Sequence, residues 1–440
     1  VVDFMVSVLD PQEGELVCDP CCGSGGFLIK TFEYVREKIE KDIERQKEAI
    51  KAECYGEDYD KLPEGKKQKI EAEVAQTFSY LNEELNINNE KGRLRSLSFD
   101  CIYGTDANPR MARTAKMNMI MHGDGHGGVH HHDGLLNVNG IFENRFDIIL
   151  TNPPFGARVE KELKILEADR FTDEAKIKSY VDRYGEEYKK ALRQVNDNIN
   201  KSLLSLYKID SSLTEVLFIE RCLNLLKPGG RMGIVLPEGV LNTANLQKAR
   251  DFVEGKAKIL LIVSIPQDVF KASGATVKPS LLFFKKFTEE EADAYSQIQH
   301  QAQLEVASKY QEEVDCLNKK LKQKGNEAPS KEEKRASREK LKALQEKVEV
   351  EVKTMVKEKF DYEIPIAEIQ KAGISATGTE IENELIPLAK EFAPYRIANN
   401  LWDVPFKTIK YQTDEEGNAF RYRETAGIVS EPEPFYNTKK

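Results

Sequence analysis

Residues 148–158 read IILTNPPFGAR, an apolar run that stops on an asparagine and two prolines. Asp147-Ile148-Ile149-Leu150 has the composition of a short buried strand bounded by turn residues. Pro153 and Pro154 lack a backbone N–H and cannot continue a ladder, so the strand ends in a stiff corner that presents Asn152, two bare carbonyls and Phe155. One reading is a strand-ending turn, which Asn and Pro favour. The other is a grip on a planar amino group. An amino group on an aromatic ring is a poor nucleophile because its lone pair is delocalised. If the Asn152 side-chain oxygen and the Pro153 carbonyl accept both of its N–H bonds, the nitrogen moves toward tetrahedral geometry and the pair localises; Pro153 and Pro154 hold those acceptors rigid. Phe155 offers a face on which a flipped base can stack.

A second motif is VCDPCCGSGGFL, residues 17–28. A strand ends at Asp19, a glycine-rich turn follows, and a helix starts near Phe27. Gly23, Ser24 and Gly25 let backbone approach a ligand, and the helix N-terminus offers free N–H groups. An Asp at the strand end can hold a cationic amino group. No Lys-Ser/Thr pair follows the glycines and the dinucleotide spacing is missed, which excludes a phosphate P-loop and a simple nucleotide fingerprint. In YGTDANP, residues 103–109, Asp106 closes the next strand, where a carboxylate can accept both hydroxyls of a ribose. In HHHDGLL, residues 130–136, Asp133 closes a third and can accept from an adenine amino group. Each Asp taken alone is also a turn former. Cys18, Cys21 and Cys22 lack the second pair that zinc needs and read as small buried filler. Five of six histidines fall in HGDGHGGVHHH, residues 122–132, but the glycines make that stretch a loop, and no metal site is expected.

These residues need a scaffold. Seven apolar runs read as strands: Leu16–Asp19, Cys101–Asp106, Val129–His132, Asp147–Thr151, Arg231–Leu236, Lys258–Ile265 and Ser280–Lys285. Helical patterns separate most of them, including Met111–His122 and a stripe of Val216, Ile219, Leu223 and Leu226 that should end at KPGGR. Alternation of this kind predicts an α/β fold with a mostly parallel sheet covered on both faces, the last strand antiparallel. Charge-rich helical insertions interrupt it at about 33–97 and 157–212. The predicted core therefore runs over 1–287. Residues 288–360 carry two apolar stripes at helical spacing, Ile298 to Leu321 and Leu341 to Met355, broken by QKGNEAPSKEE, and read as a long helical hairpin. Residues 361–440 form a C-terminal extension of short elements.

The chain has 440 residues, 40% hydrophobic, with a formal charge of −9. That is enough apolar content to fold and excludes a disordered chain. No run of about 18 apolar residues is present, so no membrane helix is expected. Seven thinly spread cysteines fit a reducing cytoplasm. The sequence opens on Val, as expected of a fragment or of a chain that has lost an upstream segment. If nucleic acid is the substrate, a local basic strip or a basic partner must supply the phosphate contacts.

DPCCGSGGF, GTDANP, HHDGLL, TNPPF and LKPGGRMGIVLPEGVL occur in the order found in N6-adenine DNA methyltransferases. With MARTAKMNMIMHGDG and SGATVKPSLLFF, the chain resembles more narrowly the modification subunit of type I restriction–modification systems, over about 1–287 and more weakly through the hairpin. The resemblance implies a seven-stranded Rossmann-like methyltransferase sheet and S-adenosyl-L-methionine as donor. It implies double-stranded DNA as substrate, and assembly with a specificity subunit and often a restriction subunit. Its donor pocket corresponds to Asp19, Gly23, Ser24, Gly25, Asp106 and Asp133, and its amino-group clamp to Asn152, Pro153, Pro154 and Phe155. Sequence choice is expected to belong to the specificity subunit, docked partly on helices 288–358. The chain departs from the family at Cys21 and Cys22, where small residues such as Ala are usual, and at KASGATVKPS. Two alternatives stay open: a methyltransferase acting on a protein glutamine or an RNA base, and a non-catalytic assembly subunit.

Overall fold

The computed structural model describes residues 1–125, 128–273, 277–323, 329–375, 377–402, 408–414, 418–425 and 428–436. It divides into two units, one of residues 1–286 and 366–440 and one of residues 287–365.

The first unit is built on one sheet. Its strands are β1 (Val17–Asp19), β2 (Ile102–Asp106), β3 (Val129–His131), β4 (Phe146–Thr151), β5 (Leu226–Pro237), β6 (Ala257–Ser264), β7 (Pro279–Lys286) and β8 (Ile366–Glu368). The order across the sheet is β3-β2-β1-β4-β5-β7-β6-β8. Pairings from β3 to β5 are parallel, and β7 runs antiparallel to both β5 and β6. The seven expected strands and the antiparallel last one are present. The eighth, β8, adds in parallel to β6 and is not expected from the sequence: three residues with an exposed Ile366 carry too little pattern to read.

β4 is buried almost throughout, which is why it reads as a continuous apolar run rather than an alternating one. One face of the sheet packs on helix Val2–Leu9, with Phe4, Met5, Val8 and Leu9 against Ile148, Leu150 and Phe283. The other packs on helix Thr214–Leu225, with Ile219, Cys222 and Leu223 against Ile149 and Met232. Gly25 caps helix Gly26–Cys54, which continues unbroken from the motif into the first insertion. Its buried residues Leu28, Phe32, Val35, Ile39 and Ile43 recur every three or four positions and keep one stripe on the core.

The expected stripe through Leu226 ends one residue short. The helix stops at Leu225, and KPGGR lies inside β5, where the pairing with β4 shifts register between Phe146 and Ile148. Residues 366–440 belong to the first unit. Leu385, Phe392 and Trp402 join the core cluster of helix Val2–Leu9. Arg421 donates to the buried Glu84 carboxylate at 2.7 Å, pinning an antiparallel sheet of the C-terminal segment to the first insertion.

The second unit is a helical hairpin of Glu289–Lys322 and Lys331–Lys359. Each helix starts with a capping box, Thr288 with Glu291 and Ser330 with Glu333. The Tyr310 hydroxyl donates to Glu351 and Lys359 pairs with Glu305, which sets the helices antiparallel. The break between them, within 323–333, lies partly outside the described residues. Among the described residues, no helix is long and apolar enough to cross a membrane.

Candidate active site

Because β3, β2, β1 and β4 are neighbours in parallel, their C-terminal ends form one edge. Asp133, Asp106, Asp19 and Asn152 stand at or just after those ends, in that order. Four distant stretches of sequence are therefore gathered by topology alone.

The glycine turn is held from both sides. Gly23 and Gly25 have φ of +53° and +89°, left-handed values that glycine adopts without strain. The Gly23 N–H donates to Asp106 Oδ2 at 2.9 Å, and the other Asp106 oxygen accepts from Asn108 N–H at 2.8 Å. Cys22 N–H bonds Thr105 O at 2.8 Å, and the Thr105 hydroxyl bonds Pro20 O at 2.8 Å. Asn118, on helix Pro109–Met121, donates to the Ser24 carbonyl at 2.9 Å. Nothing lies within 4 Å of the place where a Gly23 Cβ would stand, so the turn faces open space there.

The link between the turn and the proline corner is Thr151. Its hydroxyl donates to Asp19 Oδ1 at 2.7 Å and lies 2.9 Å from Cys21 Sγ. The single hydroxyl proton goes to the carboxylate, so the thiol donates to the hydroxyl oxygen. Burial, then the charge of Asp19, pushes the Cys21 thiol well above its ordinary range, so it stays protonated and is no nucleophile. Cys18 and Cys22 are buried filler as expected, whereas Cys21 is only half-buried and takes part in this chain of bonds.

Immediately after Thr151, Asn152 is exposed, Pro153 buried, Pro154 exposed and Phe155 half-buried. The Asn152 side chain has no partner among the described residues. Gly156 follows with φ +70°; its N–H points at the buried Glu215, whose oxygens lie 3.2 and 3.3 Å away.

Helix Thr214–Leu225 positions much of the site. Eleven of its twelve residues are buried. Arg221 donates to Gly134 O at 2.9 Å, Leu136 O at 2.7 Å and Asn137 Oδ1 at 2.8 Å, fixing the loop after Asp133. Glu220 accepts from Lys208 and Ile209 N–H, both at 2.9 Å, fixing the end of the second insertion. Reading the helix as one apolar stripe misses these roles. The sequence does hold a signal for them: charges embedded in a helix apolar all round must find partners inside.

Gly134 reads in the sequence only as part of a motif. A Cβ there would stand 1.8 Å from the Pro20 carbonyl oxygen, backbone that cannot swing away. Gly134→Ala is expected to displace the glycine turn and destabilise the fold by about 3 kcal/mol. A melting temperature lowered by several degrees would register it.

Burial pushes the Asp19 carboxyl up to about 7, against the pull of the Thr151 hydroxyl and the Cys21 N–H, with Asp106 adding to the rise. The unfolded chain loses this proton near its ordinary value of 3.8. Between those values the folded state holds more proton, so this group's contribution to stability falls as pH rises from about 4 to about 7 and is flat beyond. Asp19→Asn should therefore melt higher than the wild type at pH 8, an advantage that fades by pH 5.

His130 is half-buried, bonded to Asn139 at 2.9 Å, and its imidazole is pushed down to about 4, mainly by desolvation and secondarily by Lys116. His126 lies outside the described residues, as do residues 274–276 of KASGATVKPS.

Residues 3–176 match the model of the RMKL-like methyltransferase domain, and residues 182–359 match that of the N-6 DNA methylases. Both models describe methyltransferases, and each covers less than half of the chain. More narrowly, it is similar to methylase subunits of type I restriction enzymes. It is 23% identical over 288 residues to the EcoEI methylase subunit of Escherichia coli, covering 65% of this chain and 41% of that one. It is 24% identical over 294 residues to the StySPI subunit of Salmonella potsdam, covering 66% and 39%. Among solved structures, the EcoKI M protein shares 20% identity over 66% of this chain and 44% of its own, with a TM-score of 0.40. The chain thus spans about two-fifths of the length of these curated relatives.

Proposed function

We propose that the chain transfers a methyl group from S-adenosyl-L-methionine to adenine N6 in double-stranded DNA, as the modification subunit of a type I restriction–modification assembly. The observation that carries the reading is the Thr151 hydroxyl bond to Asp19, 2.7 Å long, which ties the exposed Asn152 corner to the glycine turn.

The residues at the strand ends suit the donor. Gly23, Ser24 and Gly25 offer a turn open to close approach. Asp106 keeps two lone-pair sites after accepting two N–H bonds, enough for a pair of ribose hydroxyls. Asp133 accepts from Leu135 N–H through one oxygen, leaving the other for an adenine amino group. Asp19, buried beside no cation among the described residues, suits an ammonium. The bound donor supplies a methyl made electrophilic by its sulfonium. The chain's own residues do the rest. Asn152 Oδ1 and the Pro153 carbonyl accept the two N–H bonds of the target amino group, Pro154 stiffens them, and Phe155 receives the extruded ring. Held in line, the amine needs no covalent enzyme intermediate.

A specificity subunit is proposed to choose the DNA site. It would dock partly on helices 288–358, where Leu304 and Val350 are exposed apolar side chains. A restriction subunit is a further candidate partner.

The test is transfer of a labelled methyl by the chain with its co-purifying subunits, offered duplex DNA, RNA and protein, then digestion of the product. Label in N6-methyladenosine from DNA is expected. Label in RNA or in glutamine would give the substrate to an alternative, and failure to bind the donor at millimolar concentration would make the chain a non-catalytic subunit.

A further inference from the structure

The proline corner is held at its entrance by Thr151 and at its exit by a residue with no assigned role. Glu215 is 5% exposed. Among the described residues it has no basic partner; its bonding partner is the Gly156 N–H, shared between its two oxygens at 3.2 and 3.3 Å. Burying a carboxylate for one long, shared hydrogen bond is unfavourable on its own. The N-terminal end of helix Thr214–Leu225 offsets part of that cost, since Glu215 lies in its first turn. The same helix end reaches the next residue: the Thr214 N–H and hydroxyl both donate to Ala157 O at 3.0 Å. Backbone groups of the two residues directly after Phe155 are thus fixed by two consecutive residues of a helix that is buried nearly all round. Gly156 can meet Glu215 because its φ of +70° turns the chain sharply after the aromatic ring.

We infer that Glu215 is a positioning residue for the transfer: its carboxylate fixes the Gly156 amide and thereby sets where Phe155 and the Asn152–Pro153 acceptors stand against the target amino group. The inference rests on the proposed methyl transfer. It requires Glu215 to touch neither donor nor base.

The experiment compares wild type, Glu215→Met and Glu215→Gln as full chains with their co-purifying subunits. Met fills a similar volume without an acceptor; Gln keeps one oxygen acceptor. Glu215→Met should lower kcat about tenfold or more, with donor Kd and Tm close to wild type, and Glu215→Gln should recover most of the rate. Trypsin cleavage after the exposed Arg158 gives a readout independent of activity: it should speed up in Glu215→Met and not in Glu215→Gln. A Met variant with kcat within twofold of wild type, or with unchanged cleavage at Arg158, overturns the inference, as does a rate loss matched by weaker donor binding. If wild type itself transfers no methyl to DNA, the underlying reading fails, while the cleavage comparison still decides whether Glu215 holds the corner.

Discussion

Replacing Asn152 by alanine is expected to slow methyl transfer severely while leaving donor binding intact. The side chain is exposed and has no partner among the described residues, so its removal costs the fold little. What it removes is one of two acceptors that localise the lone pair of the target nitrogen. Loss of a preorganised hydrogen-bonding group of this kind lowers kcat by about 10²–10³-fold. Isothermal titration with the donor should give the wild-type affinity, because Asp19, Gly23 and Asp106 are untouched. Full activity in Asn152→Ala would remove the corner from the mechanism.

Asp106→Ala should have the opposite profile. Its carboxylate holds the turn through Gly23 N–H and opens helix Pro109–Met121 through Asn108 N–H. In the proposed complex it also takes the ribose hydroxyls. Losing the charge-assisted bonds is worth about 2–4 kcal/mol, on the order of a hundredfold in donor affinity. Because the Gly23 amide also loses its partner, the turn itself loosens. Calorimetry should show the loss directly, and saturating donor should restore part of the rate. An unchanged donor Kd would show that the ribose sits elsewhere.

The sheet is legible in the sequence because its strands are short apolar runs, each ending in turn chemistry. The runs around Val17, Ile102, Val129, Ile148, Met232, Leu261 and Phe283 are all strands of one sheet. The corner and the carboxylates are legible because strand-end positions carry their own residue signatures. What stays hidden is what those residues lean on. Thr151 reads as the last residue of a strand, and nothing local says that its hydroxyl reaches across to Asp19, 132 positions away. Glu215, Glu220 and Arg221 read as charges on a helix until the helix is known to be buried all round. β8 and the packing of Trp402 are long-range contacts made by segments with almost no local pattern. Arg421 likewise finds Glu84 across 337 positions, a pairing that spacing cannot express.

Transfer by this chain requires the target amino group to sit at the Asn152–Pro153 corner. The most direct measurement is a structure of the chain with its co-purifying subunits, a non-reactive donor analogue and duplex DNA carrying the unmethylated target site. The prediction is one adenine extruded from the stack, its N6 within about 3 Å of both Asn152 Oδ1 and the Pro153 carbonyl, its ring on Phe155, and the donor over Gly23–Gly25. An adenine left in the duplex, or a target amino group held away from Asn152, would contradict it.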